Sequence, residues 1–304
     1  MVHVSYPSRA ADTGGKPLWL KKEIARGAVY RSVAAAVRAS GLRTVCEDAR
    51  CPNRGDCFSS GAVTFLILGD RCTRSCRFCA IPPGRPGLPN PDEPLRIAAA
   101  VRTLGLTHVV ITSVTRDDLP DGGAKQFADT IRAVRAISSE IAIEVLIPDF
   151  GGNDDALRLV LDSSPSVIGH NIETVPRLYA GIRRGADYSR SLDVIRAIRR
   201  YDPRIVTKSG LMLGLGETVP ELTAVFADLH DCGCDMLTLG QYLRPDRECE
   251  PVSRFVKPDE FARLGQAARE MGFGHVEAGP FVRSSFHAGE AFRAVTAGRH
   301  VLPA

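Results

Sequence analysis

The 304-residue chain has no run of about 18 apolar residues, so a membrane-spanning helix is not expected. Met1 to Arg9 lack the apolar core of a secretory signal, which points to a cytoplasmic, reducing compartment. A strong charge excess is missing too: 39 basic residues against 35 acidic ones leave +4, spread along the chain, and no nucleic-acid partner is expected. Gly214-x-Gly216 lacks the third glycine and the helix register of a dinucleotide fingerprint, which argues against a NAD enzyme. The nine cysteines are an odd number, and in a long chain without a secretory segment they do not read as a disulfide framework. The single tryptophan, Trp19, stands at the start of a helical pattern and is expected to anchor it.

Six of the nine cysteines fall between residues 46 and 79. Cys72, Cys76 and Cys79 lie in one short loop directly after the apolar run Val63 to Leu68, so three thiols can converge on three corners of one soft-metal centre. No local residue supplies the fourth corner. A closed structural site takes four protein ligands, whereas a catalytic one keeps a position open for substrate. Arg71, Thr73, Arg74, Ser75 and Arg77 within the loop are expected to favour thiolate, and Phe78 adds a flat apolar face. A second triad, Cys46, Cys51 and Cys57, occupies a turn-rich stretch with Pro52, Asn53 and Gly55. Zinc would ask for a further Cys or His between Cys57 and the next triad, and there is none. A single six-thiolate centre is disfavoured, because the strand between the triads spans roughly 20 Å.

From Val63 onward, strand-like and helix-like patterns alternate, as in a parallel sheet wrapped by helices. Strands are expected at 63–68, 108–113, 142–147, 167–172, 205–213, 235–239 and 275–278. Helices are expected around 95–104, 127–137, 154–161, 191–200, 221–230 and 258–271. Polar residues cluster at the strand ends, including Thr112, Glu144 with Asp149, His170-Asn171, Lys208 and Gln241-Tyr242, which argues for one shared polar pocket. The chain divides into an N-terminal arm and cysteine loop at 1–60, a region of alternating strands and helices at 61–280 and an extension at 281–304. Cys232 and Cys234 read as small core residues, and Cys249 as a loop cysteine open to solvent.

The C-x3-C-x2-C loop after a first strand resembles the radical S-adenosylmethionine (SAM) enzymes, which implies an α/β fold with a partial (β/α)6 TIM-like barrel. More of the chain, from about Pro17 to Phe292, resembles the lipoyl synthase family: the upstream C-x4-C-x5-C triad, TSVTRDDL, HNIET, KSGLMLGLGE, LGQYLRP and a C-terminal Arg283-Ser284-Ser285. That resemblance implies two [4Fe-4S] clusters. Cys72, Cys76 and Cys79 would hold the one that binds SAM. Cys46, Cys51, Cys57 and a serine, Ser285 or else Ser284, would hold an auxiliary cluster.

The implied reaction is insertion of two sulfurs, taken from the auxiliary cluster, at C6 and C8 of a protein-bound octanoyl chain. The same family analogy places Phe78, Thr112, Arg116, Glu144, Asn171, Lys208 and Tyr242 around the SAM pocket. Implied partners are octanoylated lipoyl-domain proteins (dehydrogenase E2 subunits and the glycine cleavage H protein), a ferredoxin or flavodoxin reductant and an iron–sulfur cluster carrier. Phe286 stands where the family usually has Tyr, and Thr115 where Asp is usual. The alternatives are another sulfur-inserting radical enzyme, an iron–sulfur protein without catalysis, and a zinc-stabilised binding module.

Overall fold

Apolar strand segments such as Phe65-Leu66-Ile67 and Val109-Val110-Ile111 are buried on both faces, and a parallel sheet covered by helices is the arrangement that achieves this. The computed structural model describes residues 16–22 and 27–299. In chain order these form α1 (Ala28–Ser40), β1 (Arg43–Thr44), α2 (Val45–Asp48), α3 (Arg54–Ser59), β2 (Thr64–Ile67), α4 (Glu93–Leu104), β3 (His108–Ser113), α5 (Ala124–Arg135), β4 (Ala142–Leu146), α6 (Asp154–Leu161), β5 (Val167–Gly169), α7 (Tyr179–Ile182), α8 (Tyr188–Tyr201), β6 (Val206–Leu213), α9 (Val219–Asp231), β7 (Met236–Gln241), α10 (Pro258–Glu270), β8 (His275–Gly279) and α11 (Ala288–Arg299). Three short 3-10 turns complete the series.

The eight strands pair in sequence order. β1 runs antiparallel to β2, and every pair from β2 to β8 is parallel. Each parallel step is bridged by a helix (α4, α5, α6, α8, α9, α10), so all the strand C-termini share one rim. The expected strands are present, with ends shifted by a few residues. β1 is too short to show a period in the sequence, and β5 stops at Gly169, before Ile172.

The outer faces of the strands pack under the helices in two large clusters. One joins β2 to β5 with α4 to α6 around Ile67, Ile111, Phe127 and Ile131. The other joins β6 to β8 with α9 and α10 around Leu213, Phe226 and Phe261. Each such side chain stabilises the fold by about 1.5–3 kcal/mol through removal from water. The helices begin and end where the chain supplies caps: Asn153 accepts from Ala156 N, Thr218 and Glu221 form a reciprocal capping box, and Gly41 and Gly105 close α1 and α4 in the left-handed conformation.

The N-terminal expectations need correction. Trp19 does not open a long helix; it lies in the single turn Leu18–Leu20, and α1 is a separate element. Trp19 is 39% exposed while Leu20 is buried, so Leu20 is the residue that anchors the turn. The expected loose arm before Lys16, and the end of the expected C-terminal extension after Arg299, lie outside the described residues. Among the described residues no helix is long and apolar enough to cross a membrane.

Candidate functional site

The loop after β2 is fastened at both ends. Leu68 sits at φ 70°, a strained conformation for a branched side chain, held by a bond from its N–H to Glu93 and one from Arg116 Nη1 to its carbonyl. Beyond it, Thr73 bonds the Thr115 carbonyl through both its N–H and its hydroxyl, and Arg74 reaches Asp117 and Asp149. Arg77 N–H donates to the Ile182 carbonyl at 2.8 Å. Backbone N–H groups point at two of the thiols: those of Arg74 and Thr115 at Cys72 Sγ (3.4 and 3.3 Å), and that of Ile81 at Cys79 Sγ (3.5 Å). Position 115 contributes through its backbone, so Thr in place of Asp leaves these contacts intact.

The first triad is carried by α2, α3 and the turn between them. Cys46 lies in α2, Cys57 in α3, and Cys51 in the connection, its N–H bonded to the Cys46 carbonyl at 3.1 Å. α2 begins at Thr44, whose buried hydroxyl accepts from Glu47 N. All six cysteines are free thiols.

Basic neighbours act toward thiolate in the loop after β2, as Arg183 and Arg74 do at Cys76, but burial outweighs them. Burial pushes the Cys76 and Cys79 thiols up, to about 11 and about 12, and does the same for Cys46 and Cys57. Arg74 also pairs with Asp117 and Asp149, and Arg77 with Glu250 at 2.9 Å. Thiols held protonated in this way must release protons when they take up iron.

One cavity of about 490 Å³ opens on the strand-end rim and is lined by Cys51 of the first triad and by Cys72, Cys76 and Cys79 of the second. Ser284 and Ser285 line it as well. Ser284 Oγ donates to Asn171 Oδ1 at 3.1 Å, whereas no bond ties down the Ser285 hydroxyl among the described residues. Among the described residues no three His, Cys, Asp or Glu side chains crowd closely enough to hold one metal ion. In a four-iron cluster each cysteine ligates a different iron, so such a cluster asks for a wider triangle than zinc does. The donor sets, three soft sulfurs in each loop with an unengaged hydroxyl on the same cavity as Cys51, fit two such clusters.

Of the other expected pocket residues, Phe78, Thr112, Glu144, Asn171 and Tyr242 line the cavity. Thr112 Oγ1 donates to the Leu146 carbonyl, and Tyr242 OH to the Glu250 carbonyl. Arg116 and Lys208 are not among the lining residues. Arg116 is 1% exposed and forks onto Asp118 while bracing Leu68, and Lys208 reaches from below to Glu144 at 2.8 Å. Burial pushes the Glu144 carboxyl up, but the charges of Lys208 and His108 more than offset it.

Further charged lining residues to which the sequence gave no role include Glu173, Arg183 and Arg283. Glu173 has φ 69° and accepts from Asn171 Nδ2, which aims it into the cavity. A polar residue following HNI was visible in sequence; its left-handed backbone was not. Leu66, Val110, Val114, Leu211 and Met212 give the wall its apolar part.

Cys232 and Cys234 are buried, as expected of core residues. Cys249 is also buried, contrary to the expectation of exposure: its thiol donates to the Cys79 carbonyl at 3.4 Å, because Glu250 N–H and the Arg77–Glu250 pair draw its loop onto the radical loop.

Residues 66–229 match the family model described as the Radical SAM superfamily. A lipoyl synthase of Desulfotalea psychrophila is 52% identical over 279 residues, covering 92% of this chain and 93% of the relative. The lipoyl synthase of Chlorobaculum tepidum is 52% identical over 284 residues (93% and 97%), and that of Geobacter sulfurreducens 54% over 273 residues (90% and 89%). Two solved structures share the fold at low identity. HydG, a maturase of the [FeFe]-hydrogenase, superposes with TM-score 0.56 at 13% identity over 76% of this chain and 54% of its own. Streptococcus suis SuiB bound to precursor peptide SuiA gives 0.55 at 11% over 86% and 54%.

Proposed function

The chain belongs to the lipoyl synthase family of radical SAM enzymes, and on that premise we propose that its two cysteine triads hold two separate [4Fe-4S] clusters serving one reaction. The enzyme inserts sulfur at C6 and C8 of an octanoyl group carried on a lysine of a lipoyl-domain protein. Cys72, Cys76 and Cys79 hold the radical cluster, and Cys46, Cys51, Cys57 and Ser285 the auxiliary one. When bound, the radical cluster supplies the electron that cleaves SAM, and the auxiliary cluster supplies sulfide.

The protein's own contribution is placement. The observation that supports this reading is that Cys51, Ser285 and the whole radical loop face one cavity, so a single substrate carbon can meet both chemistries without leaving it. Asn171 accepts from Ser284, which engages that hydroxyl and leaves the Ser285 hydroxyl as the better candidate for the fourth ligand. Glu173, Arg183, Thr112 and Phe78 form the polar and aromatic part that suits SAM. Leu66, Val110, Val114, Leu211 and Met212 exclude water from the octanoyl chain. An oxygen ligand is a poor match for soft iron, which makes Ser285 the replaceable corner of the auxiliary site. E2-type and glycine cleavage H carriers, a ferredoxin or flavodoxin donor and a cluster-reloading carrier protein complete the proposed set of partners.

Anaerobic reconstitution tests the two-cluster reading. Wild type should hold about eight irons per chain and the Cys46→Ala/Cys51→Ala/Cys57→Ala variant about four. That variant should still cleave SAM to 5′-deoxyadenosine without adding sulfur to an octanoyl-lysine peptide. Four irons in wild type would remove the auxiliary cluster from the account.

A further inference from the structure

The first triad has an outer wall, away from the cavity, that the reaction as described does not use. The Lys22 ammonium donates to Asn53 Oδ1 at 2.7 Å and pairs with Asp56 at 2.5 Å. It also lies 4.9 Å from the centre of the Phe281 ring and 5.7 Å from that of Phe286. Asn53 and Asp56 sit between Cys51 and Cys57, while Phe281 and Phe286 flank Arg283-Ser284-Ser285. Asn53 is 1% exposed, and its Nδ2 donates to the Phe281 carbonyl at 2.5 Å, so the two segments already touch beneath the ammonium. Three stretches distant in sequence therefore meet at one cation: the N-terminal turn, the cysteine loop and the serine turn.

The side chain of Lys22 is 23% exposed, so its charge is less screened than that of a surface lysine. Phe286 adds an apolar ring whose face receives the cation and whose other neighbour is the stacked His287 ring at 3.8 Å. A ring is all this contact needs, so Phe in the place of Tyr keeps it.

We propose that Lys22 is a positioning residue for the auxiliary cluster, clasping the turn that bears Ser285 to the Cys51–Cys57 loop and so setting how readily the serine corner opens. The inference rests on the reading that this triad and Ser285 hold a cluster. Removing the cation frees the serine turn, and iron leaves the auxiliary site faster while the radical site, held by separate bonds, keeps its own rate.

The test is iron release from the anaerobic holoprotein to a ferrous chelator. The release phase missing from the Cys46→Ala/Cys51→Ala/Cys57→Ala variant is the auxiliary one. In Lys22→Met, which keeps the aliphatic stem, that phase should accelerate about tenfold with the other phase unchanged, and Lys22→Arg should return it to within about twofold of wild type. Phe286→Leu, which leaves the ion pair intact, should accelerate it by about threefold. An unchanged auxiliary phase in Lys22→Met overturns the proposal. So does equal acceleration of both phases, or no recovery with Lys22→Arg, since either marks general loosening of the structure. A wild type with a single four-iron phase would instead sink the auxiliary-cluster reading, and this inference with it.

Discussion

His170 shows how one side chain ties the rim to the stability of the whole. Its Nδ1 lies 2.9 Å from the Ile147 carbonyl, which can only accept, so Nδ1 carries the proton; Nε2 faces the Arg183 guanidinium at 3.3 Å and must be the acceptor. Burial and then the charge of Arg183 push the imidazole down to about 3. The unfolded chain takes up that proton near pH 6.5 and the folded chain does not, so stability is full above pH 6.5 and falls as the pH drops toward 3. Between pH 6.5 and 5 the loss should be about 2 kcal/mol in urea unfolding, and His170→Gln should flatten the profile there. Parallel profiles for the two proteins would contradict the assignment.

Glu144 and Lys208 support a second expectation at this scale. Both side chains are nearly inaccessible, so Lys208→Met leaves a buried carboxylate without its partner and should cost about 3–5 kcal/mol, with part restored in Lys208→Met/Glu144→Gln. Additive losses in denaturant melts would contradict the pairing.

The two cysteine triads were visible in the sequence by their spacing, and the structure brings Cys51, Cys72, Cys76 and Cys79 to one cavity. The placement of Arg116, Lys208 and Cys249 was not visible there, because a strand-end position does not say which way a long side chain leaves it, nor whether a loop folds back over its neighbour.

Among elements, β7 and the serine turn depend on a missing side chain. A methyl group at Gly240 would collide with the Val282 carbonyl oxygen, and the Arg283 guanidinium packs 3.1 Å from where it would stand. Gly240→Ala should therefore push the 281–286 turn away from the first triad. The expected result is a loss of about 1–3 kcal/mol in stability and of iron mainly from the auxiliary site, measured by melting and by iron count. Retention of all the iron would show that the turn has room to spare.

Gly214 is constrained in the same way: at φ 100° it lies against Arg254 and Gln241, and the Glu217 carboxylate accepts from Gly214 N and Leu215 N at 2.6 and 2.9 Å. The Gly-Leu-Gly segment that failed as a dinucleotide fingerprint is thus a tight turn sealed by its own glutamate. Helices α6 and α10 and strand β3 were legible to within a residue because their apolar periods are complete. The two short helices that carry Cys46 and Cys57 were not, since neither completes two turns of amphipathic pattern, and caps such as Thr44 were the available signal.

At the scale of the molecule, the order β1 to β8 makes function a matter of one rim. Parallel strands joined by helices send every loop that follows a strand to the same end, and the α2–α3 segment and the serine turn reach that rim from the two termini. The alternation of patterns was enough to foresee a parallel sheet wrapped by helices, and the family resemblance supplied the partial barrel. The alternation could not foresee that Cys51 and the second triad, separated by a buried strand, would face a common cavity, because that depends on β1 turning back antiparallel against β2.

The central claim is that this shared cavity lets one bound chain draw sulfur from the protein itself. It is tested most directly by reconstituting the auxiliary cluster with 34S-labelled sulfide, removing free sulfide, and following an octanoyl-lysine peptide by mass during a single turnover with dithionite and SAM. The account predicts two labelled sulfurs per peptide with about two 5′-deoxyadenosines released. Deoxyadenosine without sulfur gain, or sulfur lacking the label, would contradict it.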